Sequence, residues 1–62
     1  MNCYSLMALY QDCHIEILYW CDNFGEILDD VRKYNEYGPS IFEPMEPDYN
    51  QIKDIYVCTR IM

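Results

Sequence analysis

The stretch Cys13–Cys21, CHIEILYWC, alternates residue by residue: Cys13, Ile15, Ile17, Tyr19 and Cys21 fall on one side of an extended chain, and His14, Glu16, Leu18 and Trp20 on the other. A two-residue period of this kind marks a β-strand. The preceding segment, Asn2 to Tyr10, is rich in residues suited to a pleated sheet, and Gln11, Asp12 and Cys13 form a short polar link. A three-residue hairpin loop there places Tyr10 opposite His14, Ala8 opposite Glu16, Leu6 opposite Leu18 and Tyr4 opposite Trp20. In that register the other face collects Cys3, Ser5, Met7, Leu9, Ile15, Ile17, Tyr19 and Cys21. This set holds most of the aliphatic residues of both strands, so it is the face expected to be buried.

Beyond Cys21 the period changes. Phe24, Ile27, Leu28, Val31 and Tyr34 recur at helical spacing and form one apolar stripe. Asn23 followed by Glu26 reads as a capping box, and Gly38-Pro39 supplies a stop, which predicts a helix from about 24 to 37. From Asn50 the sequence NQIKDIYVCTRIM alternates again, with Ile55, Val57, Thr59 and Ile61 inward and Asp54, Tyr56, Cys58 and Arg60 outward. The expected fold is therefore α+β, a single domain over residues 1–62 in the order β-β-α-β. Three antiparallel strands in spatial order 2-1-3 carry one helix on one face. A parallel pairing of the third strand with the second, through a right-handed crossover, is the alternative.

A chain of 62 residues buries only roughly 60% of its unfolded surface, so stabilisation from disulfides, a metal or a second subunit has to be considered. Four cysteines are present, but none forms the closely spaced pair that structural zinc sites use. Cys13 and Cys21 are about 26 Å apart along one strand and cannot share a metal. Cys3 and Cys21 face each other in the expected register and could bridge if oxidised, although free cysteine more often serves as a small buried hydrophobe. No signal-peptide pattern and no apolar run of bilayer length appears, which points to a reduced, cytoplasmic setting without membrane contact. No metal and no cofactor is expected.

Eleven acids against four bases give a net charge of -7, a field that repels nucleic-acid phosphates and anionic lipid. Direct nucleic-acid binding is not expected. The helix carries Glu26, Asp29, Asp30 and Glu36 outward, partly offset by Arg32 and Lys33. The following loop, Gly38 to Asn50, adds Glu43, Glu46 and Asp48 with no basic residue. Its prolines predict a stiff, extended path that presents Ile41, Phe42, Met45 and Tyr49 beside these carboxylates as a recognition edge. In the competing reading Ile41 and Phe42 close the end of the core, and the acids only solvate the loop.

The face away from the helix is expected to expose Tyr4, Leu6, Leu18, Trp20 and Tyr56. Contiguous apolar patches of that kind mark interfaces, either with another protein or with a second copy. His14, Glu16 and Tyr10 could in principle transfer protons, but they lie on an open sheet surface. No serine-centred triad, glycine-rich phosphate loop or paired-carboxylate signature accompanies them, so an enzyme is not expected.

Taken together, HIEILYW, NFGEILDDVRKY and IKDIYVCTRI in a short, acidic, tyrosine-rich chain resemble the host-takeover and anti-defence proteins of bacteriophages, among them anti-CRISPR proteins and inhibitors of host RNA polymerase. The resemblance implies an inhibitor in the host cytoplasm that occupies a basic, nucleic-acid-binding or subunit-docking surface of a host protein. It assigns no role to any particular residue. A homo-oligomer assembled through the outer sheet face, and an oligomer that stacks a nucleotide signal on its Tyr and Trp rings, are the alternatives.

Overall fold

The structure, a computed structural model, describes the backbone of residues 2–61 and the side chains of residues 3–60. Strand β1 (Asn2–Tyr10) is followed by β2 (Ile15–Cys21), helix α1 (Phe24–Tyr37), 3-10 turns at Pro39–Phe42 and Tyr49–Gln51, and β3 (Ile52–Ile61). Both strand pairs are antiparallel and the sheet order is β2-β1-β3. The antiparallel 2-1-3 arrangement is thus the one adopted, and the parallel alternative is set aside.

The hairpin loop forms where the polar link predicts it. The Tyr10 amide donates to the His14 carbonyl and the Cys13 amide to the Tyr10 carbonyl, both at 2.9 Å. Cys13 closes the loop with φ of 72°, a left-handed position that glycine or asparagine usually fills. Near the loop the pairing follows the expected register, with Leu9 opposite Ile15, Ala8 opposite Glu16 and Met7 opposite Ile17. A bulge then intervenes. Leu6 pairs with Tyr19, Ser5 with Trp20 and Tyr4 with Cys21, leaving Leu18 as the extra residue on β2.

The bulge resolves a conflict within β2. Strict alternation would send Leu18 and Tyr19 to opposite faces, yet both are partly buried and pack against the core. With Leu18 inserted, Tyr19 stays on the helix side, where its hydroxyl donates to Asp30 of α1. Trp20 moves to the far side, beneath the Arg60 guanidinium, whose carbon lies 5.4 Å from the ring centroid.

Helix α1 begins and ends on the expected signals. The Asn23 side chain accepts from the Glu26 amide at 3.3 Å. The reciprocal half of a capping box is replaced: the Glu26 carboxylate accepts from the Cys21 thiol at 3.2 Å, and the Asn23 amide donates to that same sulfur at 3.3 Å. Gly38, at φ 83°, lets its amide return to the Tyr34 carbonyl at 2.8 Å, the turn conformation that a Cβ disfavours. Ile27 is fully buried, and Val31 and Tyr34 pack beside it. Phe24 stays half-exposed at the first turn, with its ring centroid 5.0 Å from that of Tyr4.

The core consists of Leu6, Ala8, Tyr10, Ile27, Phe42, Ile52 and Ile55, which corrects the expected polarity of β1. Leu6, expected outside, is 0% exposed, and Tyr4 and Leu18 pack against the core. Ile15 and Ile17, expected inside, are 51% and 47% exposed. The cause is the β1–β3 pairing. Ala8 lies opposite Ile55, Leu6 opposite Val57 and Tyr4 opposite Thr59, so the inward row of β3, correctly foreseen for Ile55 and Val57, carries the even-numbered row of β1 inward with it. The inward placement expected of Ile61 lies outside the described side chains. Cys3 pairs with Arg60 and Cys21 with Tyr4, so the expected Cys3–Cys21 juxtaposition does not occur, and all four cysteines are free.

The loop also departs from expectation. It does not run extended but winds through successive turns, with the Glu43 amide bonded to Ser40, the Met45 and Glu46 amides to Phe42, and the Tyr49 amide to Glu46. Those turns satisfy backbone donors that a stretched path would leave to water. They also drive Phe42 into the core, where it is 1% exposed and its ring lies 6.2 Å from that of Tyr34.

Truncating Leu6 to Ala should therefore cost about 3 kcal/mol, whereas Ile17→Ala should cost under about 0.5 kcal/mol. Chemical denaturation of both variants at low protein concentration checks this. The reverse ranking would contradict the assignment of faces.

Candidate functional site

The chain path brings six of the acids to one end of the molecule. β2 leads away from the hairpin, α1 returns toward it, and β3 starts beside it, since Ile52 pairs with Tyr10. The Gln11 amide donates to the Gln51 carbonyl at 2.8 Å, tying the hairpin to the loop. Glu36 in the last turn of α1, then Glu43, Glu46 and Asp48, therefore share this end with Asp12 and Glu16 of the hairpin. Of these, Glu46 is half-buried and the others are exposed.

The expected recognition residues divide into three groups. Glu36, Glu43, Met45, Glu46 and Asp48 gather at the hairpin end, Met45 with an exposed side chain. Glu26 lies in the first turn of α1, about 15 Å from Glu36 along the helix axis, and Asp29 is bridged to Lys33 at 3.5 Å. Asp30 is half-buried and accepts from Tyr19, Phe42 is in the core, and Tyr49 packs against the core. Phe42 is thus corrected from recognition residue to core residue. Of the expected outer-face set only Trp20 and Tyr56 are exposed; Tyr4, Leu6 and Leu18 turn inward.

Two acids were not anticipated as part of this group, Asp12 and Glu16. Their signal lay in the 2-1-3 order itself, which sets the hairpin loop beside the start of β3. Between them stands His14. Its Nδ1 meets Asp12, its backbone amide donates to Asp12 Oδ1 at 3.1 Å, and its Nε2 lies 3.6 Å from Glu16. The His14 ring stacks on Tyr10 with centroids 4.3 Å apart and planes inclined by 7°. Tyr10, Asp12, His14, Asp48 and Gln51 line a cavity of ≈ 230 Å³.

The electrostatics follow from these contacts. The hydrogen bond to Asp12 raises the His14 pKa above its ordinary 6.5, with Glu16 adding to the effect. The His14 amide, and then its ring, lower the pKa of Asp12. Burial, followed by the Glu16 and Glu46 carboxylates, pushes the Tyr10 phenol well above its ordinary value, and its buried hydroxyl has no partner at bonding geometry. Cys21 is pulled down by the Asn23 amide, but the Glu26 carboxylate and burial outweigh it and raise the thiol.

Chemically, the hairpin end offers a dense set of hydrogen-bond acceptors. Among the described residues, no three His, Cys, Asp or Glu side chains converge as metal ligands, and no helix is long and apolar enough to cross a membrane. No protein family, curated protein or solved structure matches this chain.

His14 contributes stability fully below pH 6.5 and loses it as the pH rises through its raised folded value; Asp12 contributes above 3.8 and loses it as the pH falls through its lowered one. The pair therefore stabilises most between pH 3.8 and 6.5. An NMR titration should place the His14 midpoint above 6.5, and Asp12→Asn should move it down. A midpoint indifferent to that substitution would contradict the contact.

Proposed function

We propose that this chain is a protein-binding module whose acidic hairpin end docks on a basic surface of its partner. The observation that carries the reading is how little of this charge is neutralised internally. Asp12 and Glu16 share His14, whereas Glu36, Glu43, Glu46 and Asp48 gather at the same end without an ion pair among the described residues, and the one pair involving Lys or Arg is Lys33–Asp29, elsewhere on the helix. Uncompensated charge of one sign steers encounter with the opposite sign and raises the association rate, while contacts such as those of exposed Met45 slow release. The loop that carries three of these acids, Glu43, Glu46 and Asp48, is held by turn hydrogen bonds, so little ordering entropy is lost on docking.

A nucleic-acid-binding or subunit-docking surface of a host protein is the partner class that fits both this charge and the resemblance to phage inhibitors. Blocking such a surface needs no catalytic step, and the proposed role is inhibition by occupancy in the cytoplasm of the host.

Two variants of equal net charge separate a local site from bulk acidity. Glu43→Gln/Glu46→Gln/Asp48→Asn should weaken binding to a panel of basic nucleic-acid-binding proteins by roughly tenfold or more, whereas Glu26→Gln/Asp29→Asn/Asp22→Asn should change it by less than about threefold. Wild-type affinity should fall as salt rises. Equal losses from both variants, or affinity indifferent to salt, would remove the proposal.

A further inference from the structure

The outer face of the sheet is separate from the acidic end and has its own pattern. Met7, Ile15, Ile17, Trp20 and Tyr56 face away from α1, and Ile15, Ile17, Trp20 and Tyr56 are all at least 40% exposed. By strand parity this face carries Asp54 opposite Leu9 and Arg60 opposite Cys3, and the register shift between Leu9 and Tyr10 adds exposed Lys53 beside Asp54 at its hairpin edge. Asp54 and Arg60 stand near opposite ends of β3 and offset each other, and with Lys53 the face carries no net negative charge, in a chain whose net charge is -7. We propose that this face is the contact surface for a second copy of the chain, packed sheet to sheet about a two-fold axis running across the strands.

The register shows why the surface is complementary to itself. One row across the sheet is Tyr56–Met7–Ile17, and on the other side of the Val57–Leu6 level lies the row Cys58–Ser5–Trp20. A two-fold axis across the strands at the Val57 level lays each row over the other in the partner. Met7 then lies over the level of Ser5, which is already covered at 2% exposure and donates to its own chain's Met7 Sδ at 3.5 Å, small Cys58 receives Tyr56, and Trp20 covers Ile17. A depression of ≈ 220 Å³ bounded by Ser5, Met7, Ile17, Trp20, Cys58, Thr59 and Arg60 becomes the socket for the partner's larger side chains. The same rotation sets Arg60 over Asp54 of the other copy, twice by symmetry.

Charge and area select this occupant. The axis turns the strands antiparallel, so the two acidic hairpin ends point to opposite poles of the assembly instead of meeting. Three strands at about 4.8 Å spacing and seven residues at about 3.3 Å rise project roughly 330 Å². Side-chain relief raises the contact to roughly 1,000 Å² over both copies, the lower bound for a specific interface. An interface at that lower bound suits a reversible, concentration-dependent dimer. A basic partner finds no net negative charge on this face, which keeps the two surfaces independent.

Sedimentation velocity under reducing conditions, across micromolar concentrations, tests the assignment. The expected result is a monomer–dimer equilibrium that tightens as salt screens the repulsion between two copies of charge -7, opposite in sign to the salt response of basic-partner binding. Arg60→Asp and Asp54→Arg should each weaken the dimer roughly fivefold or more, and the double swap should restore it to within about twofold. Circular dichroism confirms that each variant is folded. A chain that remains monomeric at every salt, single variants that dimerise like the wild type, or a double swap that fails to recover would overturn the proposal, while leaving the reading of the acidic end standing.

Discussion

The side-by-side pairing of β1 with β3 is the constraint on which the rest of this structure depends. Ala8 against Ile55 and Leu6 against Val57 decide which row of the central strand lies under α1. With that row fixed, Ile27 from the helix and Phe42 from the loop have a surface to close against. A central strand offers both faces to burial, and its own composition does not choose between them. The choice comes from its neighbours, because a shift of one residue in register exchanges the two faces.

From this arrangement the two faces of the molecule acquire different chemistry. The helix side buries nearly all the fully enclosed side chains, and the return of α1 toward the hairpin carries the acids of its last turn and of the loop to one end. The outer side keeps Met7, Ile17, Trp20 and Tyr56 with few charges, among them Asp54 and Arg60. Charge and apolar surface are thus separated within one small chain, the acids at the hairpin end and the exposed apolar side chains on the outer sheet face.

How much of this was legible in the sequence differs by element. The period switch at Asn23, the Asn23 cap and Gly38-Pro39 defined α1 at Phe24–Tyr37, because caps and an apolar stripe act locally. The hairpin loop was legible for the same reason. The bulge at Leu18 was not: alternation in CHIEILYWC is unbroken, and the insertion arises from the tertiary demand that Leu18 and Tyr19 both face α1. In β1 the aliphatic content of Met7 and Leu9 points to the odd-numbered row, whereas burial follows Leu6, Ala8 and Tyr10, because the neighbouring strand and not the strand's own composition selects the face. In the loop, proline count suggested extension, whereas Pro39 at the head of a 3-10 turn begins a compact path that delivers Phe42 to the core. The acidity of the loop and helix was plain, but the addition of Asp12 and Glu16 required the strand order.

The most direct measurement of the central claim is a set of side-chain nuclear Overhauser contacts recorded on isotope-labelled protein at a dilution where copies do not associate. The account places Leu6 methyl groups within reach of Ile27 and the Phe42 ring, and leaves the Met7 methyl without contact to α1. Cross-peaks from Met7 or Ile17 to Ile27, with none from Leu6, would show that β1 presents its other row to the helix and would contradict the account.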